Sequence, residues 1–403
     1  MYKLLVIGVG DKGLPAEQLE LIATCAAVVG TSRFHKLVAH LELPYIPITP
    51  LDEALGSIRN RLETGNIAVL VSGDPLFYGF GRRLLSEFGA EQVQIFPALS
   101  SVQQACALFR QPWDDAVFVS LHGRNHPHIP GLLLANAKTL VLTDSKNSPD
   151  RISRQLLEYL QLIGEVELAD EIRIQVAEDI GLETEKLFNG SLTDASKVEF
   201  SPLNVLCINV PQETTKAGCI FGLTEDRISH SRGLITKNEV RAATLHRLEL
   251  PHEGILWDVG AGSGSLSIEA ARLSPNLIVY AVEHKEEEFE NIRRNIARYR
   301  CHNIVPVFGR APDALAGLPQ PDRVFVGGSG GALSDIVARV AAALTDDGIL
   351  VVNGVIEKTV LAAPQLMQQH GFSVEKSTLS VTRTGSDGAT QVFNPITIMA
   401  GKL

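Results

Sequence analysis

Short apolar runs alternate with amphipathic ones along nearly the whole chain. LLVIGVG (4–10), IAVLVSGDP (67–75), VQIFPALSS (93–101), AVFVSL (116–121) and TLVLTD (139–144) are apolar at most positions and too short for core helices. Such runs predict strands covered on both faces, as in parallel sheets flanked by helices. From about 166 to 210 the pattern predicts antiparallel pairing and fewer helices, ending in the strand LNVLCINV (203–210). PQETTKAG (211–218) is polar and aperiodic, which is linker chemistry. Beyond it, ILWDVGAGSGSLSIEAARL (255–273) reads as strand, glycine loop and helix. Strands follow at LIVYAVEHK (277–285), IVPVFGRAP (304–312), PDRVFVGGSGG (321–331) and ILVVNGV (349–355), with a helix at 286–300. This βα alternation predicts a doubly wound sheet. The expected fold class is α/β: a two-lobed domain over 1–211, a linker over 212–219 and a Rossmann-like domain over 220–403.

Charge changes the picture modestly. The chain of 403 residues carries 36 Lys+Arg against 46 Asp+Glu, a formal charge of −10. A protein that neutralises many phosphates carries the opposite balance, so nucleic acid is not the expected partner. The acidity sits mainly in the first half, net −8 before residue 211 and −2 after it. No apolar run reaches the roughly 18–20 residues that span a bilayer, so no membrane partner and a soluble cytoplasmic protein are expected. The five cysteines form no CxxC pair, no histidine cluster has metal-ligand spacing, and no metal site is expected.

Two glycine loops carry the candidate chemistry. Gly260, Gly262 and Gly264 follow a strand as G-x-G-x-G, where backbone amides at a helix start can approach a ligand closely. The third glycine comes one residue too early for the dinucleotide fingerprint. Asp258 precedes the loop, and Glu283 ends the next strand, placed to accept hydrogen bonds from a ribose diol. Together these resemble the S-adenosylmethionine methyltransferase pattern. After the fourth strand, Gly327–Gly331 stands where amine methyltransferases carry an N/D-P-P-Y/F clamp, so nucleobase amines are disfavoured substrates. In the first half, Gly8, Gly10 and Gly13 do fit G-x-G-x-x-G, yet the second strand ends at Gly30 with no acid for a ribose. An NADP-dependent oxidoreductase half, with Arg33 on a 2′-phosphate, remains an alternative. So does an RNA or protein methyltransferase. The second loop, SGDPLFYG (72–79), has no role in the dinucleotide fingerprint. There Asp74 is a ligand contact or a helix N-cap.

IGVGDKGL, SGDPLFYG, PALSSVQQACAL and WDDAVFVSLHGR, in this order, resemble the tetrapyrrole (corrin/porphyrin) methylase family, in its cobalamin branch that methylates carbon 5. GLTEDRISHSRGLITKNEVRAATL (222–245), DVGAGSGSLSIE, GRAP, FVGGSGG and NPITI resemble the companion family that methylates carbon 15 and decarboxylates. The resemblance implies a fused enzyme that methylates precorrin-6B, or its cobalt form, at both carbons and removes the ring C acetate, giving precorrin-8. It implies two S-adenosyl-L-methionine sites, a tetrapyrrole substrate and a homo-oligomer. The matching cofactor positions are Gly10, Asp74, Leu76, Phe77, Ser100 and Ser101 in the first half. In the second they are Thr236, Gly260, Ala261, Gly262, Ser263, Gly264, Glu283 and Ala311.

Methyl transfer to an electron-rich ring carbon needs no protein nucleophile, and the macrocycle itself is the electron sink for decarboxylation. That leaves orientation, carboxylate clamping and one proton to the protein. Candidates are His122 and Arg124 at a first-half strand end, with His230, Arg232, Lys237 and Arg241 in the second half. His284 is a further donor candidate. Arg293, Arg294, Arg298 and Arg300 share one helix whose charges read best as a solvated face.

Overall fold

The computed structural model describes residues 2–11, 13–211, 220–231 and 235–403. Three sheets organise the chain. In the first, β1 (Leu4–Val9), β2 (Ala27–Gly30), β3 (Tyr45–Pro47), β4 (Ile67–Ser72) and β5 (Val93–Phe96) lie in the order β3-β2-β4-β1-β5. All four pairings are parallel. All six residues of β1 are buried, as the unbroken apolar run predicts for a central strand covered by helices on both faces.

The second sheet holds β6 (Val117–Ser120), β7 (Lys138–Leu142), β8 (Arg173–Glu178), β9 (Lys186–Ser191) and β10 (Asn204–Asn209), ordered β6-β7-β10-β8-β9. Only β6 and β7 run parallel, and β10 pairs antiparallel with both neighbours. The expected turn to antiparallel pairing after residue 166 is therefore present. The β6 run differs from expectation in being largely uncovered, with Val117 exposed, because it forms the sheet's edge. The helix Pro149–Ile163 packs Ile152, Leu156, Leu160 and Ile163 beneath this sheet. A proline at its start and Gly164 in the left-handed region at its end delimit it.

The third sheet contains β11 (Glu253–Val259), β12 (Asn276–Glu283), β13 (Ile304–Phe308), β14 (Arg323–Val326), β15 (Ile349–Gly354) and β16 (Ser373–Leu379). A small hairpin of β17 (Thr382–Thr384) and β18 (Thr390–Val392) precedes β19 (Ile396–Lys402). The order is β13-β12-β11-β14-β15-β19-β16, parallel except for β19, which lies antiparallel between β15 and β16. The chain reverses direction between β13 and β14. That places the switch point at the carboxyl ends of β11 and β14, where open sheets bind ligands. The Asn394-Pro395 pair leads into β19.

The two halves share a buried polar joint. His128 Nε2 donates to the His302 carbonyl at 2.8 Å. The Tyr159 hydroxyl donates to the carbonyl oxygens of His302 and Ile304, at 3.1 and 2.8 Å. His302 Nε2 meets Glu165 at 2.8 Å. Burial pushes the His128 imidazole down to about 4, so it stays neutral at physiological pH. The helix Glu286–Tyr299 contributes as well. Arg293 bonds to the Leu162 carbonyl, and Arg300 just past the helix reaches the Pro211 carbonyl at 3.2 Å. Two of the four clustered arginines therefore bind the halves together instead of forming a solvated face. Arg294 does pair locally, with Glu290.

Among the described residues no helix is long and apolar enough to cross a membrane. Cys25, Cys106, Cys207 and Cys301 are free and buried. Burial raises the Cys207 and Cys301 thiols to about 12, consistent with inert core thiols. The expected linker, 212–219, lies outside the described residues.

Candidate active sites

A cavity of about 500 Å³ opens between the first two sheets. Its first wall comes from carboxyl-end loops of the parallel sheet: Arg33 after β2, Ser72 at the end of β4, Tyr78, and Ser101. The opposing wall comes from one end of the second sheet, with Ser120 closing β6, His122 and Arg124 after it, Thr143 after β7, Asp179 after β8, and Asn204 opening β10.

Backbone contact explains the glycines beside this cavity. A Cβ on Gly8 would stand 2.1 Å from the Gly73 carbonyl oxygen and 2.7 Å from the Ala98 nitrogen. Three loops thus meet main chain to main chain, which only glycine permits. Gly10 lies at this junction, its Cβ direction facing Ala98. Asp74 does not cap a helix. Its carboxylate accepts from the Leu76 amide at 2.8 Å and shapes the turn, while the next helix begins only at Gly81. Ser100 is spent on structure, forming a reciprocal capping box with Gln103 for the helix Ser101–Phe109. Phe77 turns toward the second sheet and stacks edge-on against Phe118 at 5.3 Å, joining the lobes. Of the six expected cofactor positions, only Ser101 lines the cavity itself. Gly10, Asp74, Leu76, Phe77 and Ser100 belong to the loops that build its first wall.

His122 and Arg124 both line the cavity. The His122 Nδ1–H donates to the Thr143 carbonyl at 3.0 Å, so Nε2 is the nitrogen left to a ligand. The loop carrying both residues is held firmly. Asp144 accepts from the Gly123 amide at 2.7 Å, and buried Asn147 donates to the Leu121 and Arg124 carbonyls. The backbone amides of Gly123, Asn147 and Lys146, all donating to Asp144, hold its carboxyl below its usual range. Tyr78 was not foreseen. Its backbone is left-handed (φ 50°), its hydroxyl donates to the Phe118 carbonyl at 3.1 Å, and the Arg124 guanidinium lies over its ring at 5.8 Å. Nothing in SGDPLFYG announces that conformation, which tertiary contacts impose.

A second cavity, about 400 Å³, sits at the switch point of the third sheet. Gly260, Gly262, Glu283, Ala311 and Gly327–Gly330 line it, with His284, Lys285, Glu288 and Arg310. Gly260, Gly262 and Gly264 all have positive φ. A Cβ on Gly260 would lie 2.4 Å from the Gly328 carbonyl oxygen, whereas one on Gly262 would meet nothing within 4 Å. The first glycine permits two loops to touch, and the second leaves open space toward a ligand. Glu283 is buried and organises this loop. Its Oε2 accepts from the Gly262 amide at 2.9 Å, and its Oε1 accepts from the His284 and Lys285 amides at 2.8 and 2.9 Å. Oε2 keeps a lone pair for a hydroxyl donor.

The remaining second-half expectations fare differently. Ala261, Ser263 and Gly264 shape the loop but do not line the cavity. Ser263, for example, is buried and gives its carbonyl to Asn295 at 2.9 Å. Thr236 is likewise not a wall residue, and its carbonyl accepts from Arg241 at 3.1 Å. Arg241 departs most from the expectation of a carboxylate clamp. It is 1% exposed, paired with buried Glu269 at 2.6 Å, and bonded to the Leu223 carbonyl. Glu269 also accepts from the Gly222 and Leu223 amides. The pair fastens the segment after residue 220 to the domain and leaves no guanidinium free for a ligand. Lys237 pairs with Glu225 at 2.9 Å. Arg383 from the β17–β18 hairpin reaches the same Glu225 and also Glu239. The His230 imidazole does not line the cavity, and its Nδ1 is buried without a hydrogen-bond partner. Arg232 lies outside the described residues. The side chains that line the cavity and were not expected there include Lys285, Glu288 and Arg310. Arg310 donates to the Gly330 carbonyl at 2.9 Å. It sits in the GRAP motif, so its signal was present.

Asp258, at the end of β11, is fully buried. Ser267 donates to its Oδ2 at 2.5 Å, and its Oδ1 has no partner. Burial raises this carboxyl to about 7, with the charge of Glu283 adding to the effect.

A parallel-and-mixed two-sheet half joined to a β13-β12-β11-β14-β15-β19-β16 sheet with a glycine-loop cavity defines a two-part methyltransferase of the S-adenosylmethionine-dependent class. Two family models match it, "Tetrapyrrole (Corrin/Porphyrin) Methylases" over residues 3–196 and "Precorrin methyltransferase domain" over 228–400. A Sinorhizobium protein named precorrin-6Y C(5,15)-methyltransferase [decarboxylating] is 33% identical, covering 87% of this chain and 84% of its own. The chain belongs to that family. A Salmonella typhimurium protein named cobalt-precorrin-6B C(15)-methyltransferase (decarboxylating) is 34% identical over 41% of this chain and 88% of its own. A Geobacter metallireducens crystal structure described as precorrin-6y C5,15-methyltransferase is 36% identical. It covers 47% of this chain and 100% of its own, at TM-score 0.46.

Proposed function

We infer that the chain carries two methyltransferase modules acting on one corrin precursor, precorrin-6B or its cobalt form. Residues 1–211 methylate carbon 5. Residues 220–403 methylate carbon 15 and remove the ring C acetate as carbon dioxide, which yields precorrin-8. One observation carries this reading: a single chain aligns over most of its length with a relative named for both methylations.

The residues present fit S-adenosylmethionine in the second cavity. Gly262 leaves open space beside the loop, and Glu283 keeps an acceptor for a ribose hydroxyl. When bound, the cofactor supplies a methyl group on a sulfonium whose charge is lost on transfer. In the first half we assign the cofactor to the junction of the Gly10, Asp74–Phe77 and Ser100–Ser101 loops, giving two sites in all. The protein's share is to hold the macrocycle in line and to exclude water. In decarboxylation the C–CO₂ bond breaks, its electron pair enters the conjugated ring, and a proton returns to the new methyl carbon. His284 and Lys285 are the proton-bearing side chains of the second cavity that we assign to this step. A homo-oligomer is the assembly we expect, checked by light scattering.

Incubating the full chain with precorrin-6B and methyl-labelled S-adenosylmethionine tests the reading. Two labelled methyl groups per product and one equivalent of carbon dioxide are expected. No methyl gain on either the metal-free or the cobalt macrocycle overturns it.

A further inference from the structure

The first cavity combines an apolar shelf with cations from both sheets. On the second-sheet side, Leu182 and Leu203 are more than half exposed and both line the cavity. Their loops are fixed to one another. The Asp179 amide donates to the Leu203 carbonyl at 2.8 Å, and the Leu182 amide to the Asp179 carbonyl at 2.9 Å. Two large aliphatic side chains held open to solvent on a braced wall mark a binding surface. Arg33 enters from the first sheet and Arg124 from the second. Neither guanidinium has a carboxylate partner among the described residues. Arg33 lies over the Phe34 ring at 4.5 Å and Arg124 over Tyr78 at 5.8 Å. Both rings stack beneath the cations and leave the N–H edges free for oxygen ligands. Asp179, the one carboxylate among the described wall residues, is turned to the loop before β10, accepting from the Ser201 hydroxyl at 2.7 Å.

We propose that Arg33 and Arg124 form a two-sided carboxylate clamp. In it, a flat apolar macrocycle rests on Leu182 and Leu203 while its peripheral carboxylates are read from opposite lobes. The clamp fixes which edge of the ring meets the methyl donor, so these arginines set the position of methylation in the first half. Single-sign steering cannot do this, because the chain as a whole is net negative and repels a polyanion at long range. Short-range bidentate contacts supply both affinity and orientation. The inference rests on the reading of the first half as a corrin methylase.

The test uses the full chain with the Arg33→Gln and Arg124→Gln variants, followed on precorrin-6B. Release of carbon dioxide serves as the internal control for the second half. Each variant should raise the KM for carbon 5 methylation by about 10- to 100-fold. S-adenosylmethionine affinity, measured by calorimetry, and carbon dioxide release should stay unchanged. Arg→Lys at either position should recover part of the loss. Esterifying the macrocycle carboxylates should lower carbon 5 methylation by wild type and leave an Arg33→Gln/Arg124→Gln double variant unaffected. A matching loss of cofactor affinity would reassign the arginines to the cofactor and overturn the clamp, as would an unchanged KM. If wild type itself adds no methyl at carbon 5, the functional reading fails instead, a distinct result.

Discussion

The two cavities solve the same problem with different materials. The second is built from consecutive strand ends of one sheet, and its organiser, Glu283, lies 21 residues from the Gly262 amide it binds. The first is a gap between two sheets, with walls drawn from residues as distant as Arg33 and Val205. In the second, a buried carboxylate holds a glycine loop whose open side faces the cavity. In the first, glycines are consumed in main-chain contacts and side chains from both sheets face the cavity. A site within one βα sheet can be specified locally, whereas a site between lobes depends on how the lobes are joined.

The largest effect that would separate the halves is expected from Arg241→Ala. Removing one member of the buried Arg241–Glu269 pair leaves an unpaired carboxylate and frees the segment after residue 220. The cost is about 3–5 kcal/mol, read by urea unfolding, with carbon 5 methylation surviving where the first half stays folded. Gly262→Val follows. Its left-handed backbone and open Cβ direction mean strain plus a side chain entering the cavity. Carbon 15 methylation should fall by about 100-fold or more, which is near 3 kcal/mol. Its first-half counterpart is Gly8→Ala, which drives a methyl into the Gly73 and Ala98 backbone. It should cost about 1–3 kcal/mol and abolish carbon 5 methylation alone.

Asp258 sharpens the comparison through pH. Its folded carboxyl titrates near 7 against an ordinary 3.8, so the folded state binds more protons than the unfolded state across that window. Its contribution to stability therefore falls as pH rises from about 4 to 7, by up to about 1.4 kcal/mol per pH unit. Asp258→Asn should flatten this slope in urea titrations at pH 5 and pH 8. An unchanged slope contradicts the assignment. The smallest expected effect is at the joint. Tyr159→Phe removes the hydroxyl bonded to His302 and Ile304 and should cost about 1 kcal/mol. The loss should show as less coincident unfolding of the two halves by calorimetry.

The sequence carried the third sheet well. Strands β11 to β15, the glycine loop and Glu283 followed from local pattern, because a βα unit buries its own strand and presents its own loop, whereas β16, a largely exposed edge strand, was not read. The first sheet was equally legible in its long strands, but the three-residue β3 was too short to show a period. The second sheet's antiparallel turn was visible, whereas the exposure of β6 was not, since edge position is a tertiary property. Among site residues, Arg241 misled because a motif arginine looks the same whether it holds a substrate or a buried glutamate. Tyr78 was missed because left-handed backbone at a non-glycine residue is imposed by the neighbouring lobe. The helix 286–300 read as a solvated face because Leu162 and Pro211, which Arg293 and Arg300 grip, lie far away in sequence.

The central claim is that one chain holds two separable methylation sites. It is tested most directly by mass spectrometry of the corrin product made by wild type, Gly262→Val and Gly8→Ala with labelled S-adenosylmethionine. Wild type should add two methyl groups. Gly262→Val should add only the one at carbon 5, and Gly8→Ala only the one at carbon 15. Loss of both methyl groups in either variant, with the protein still folded, would contradict the account.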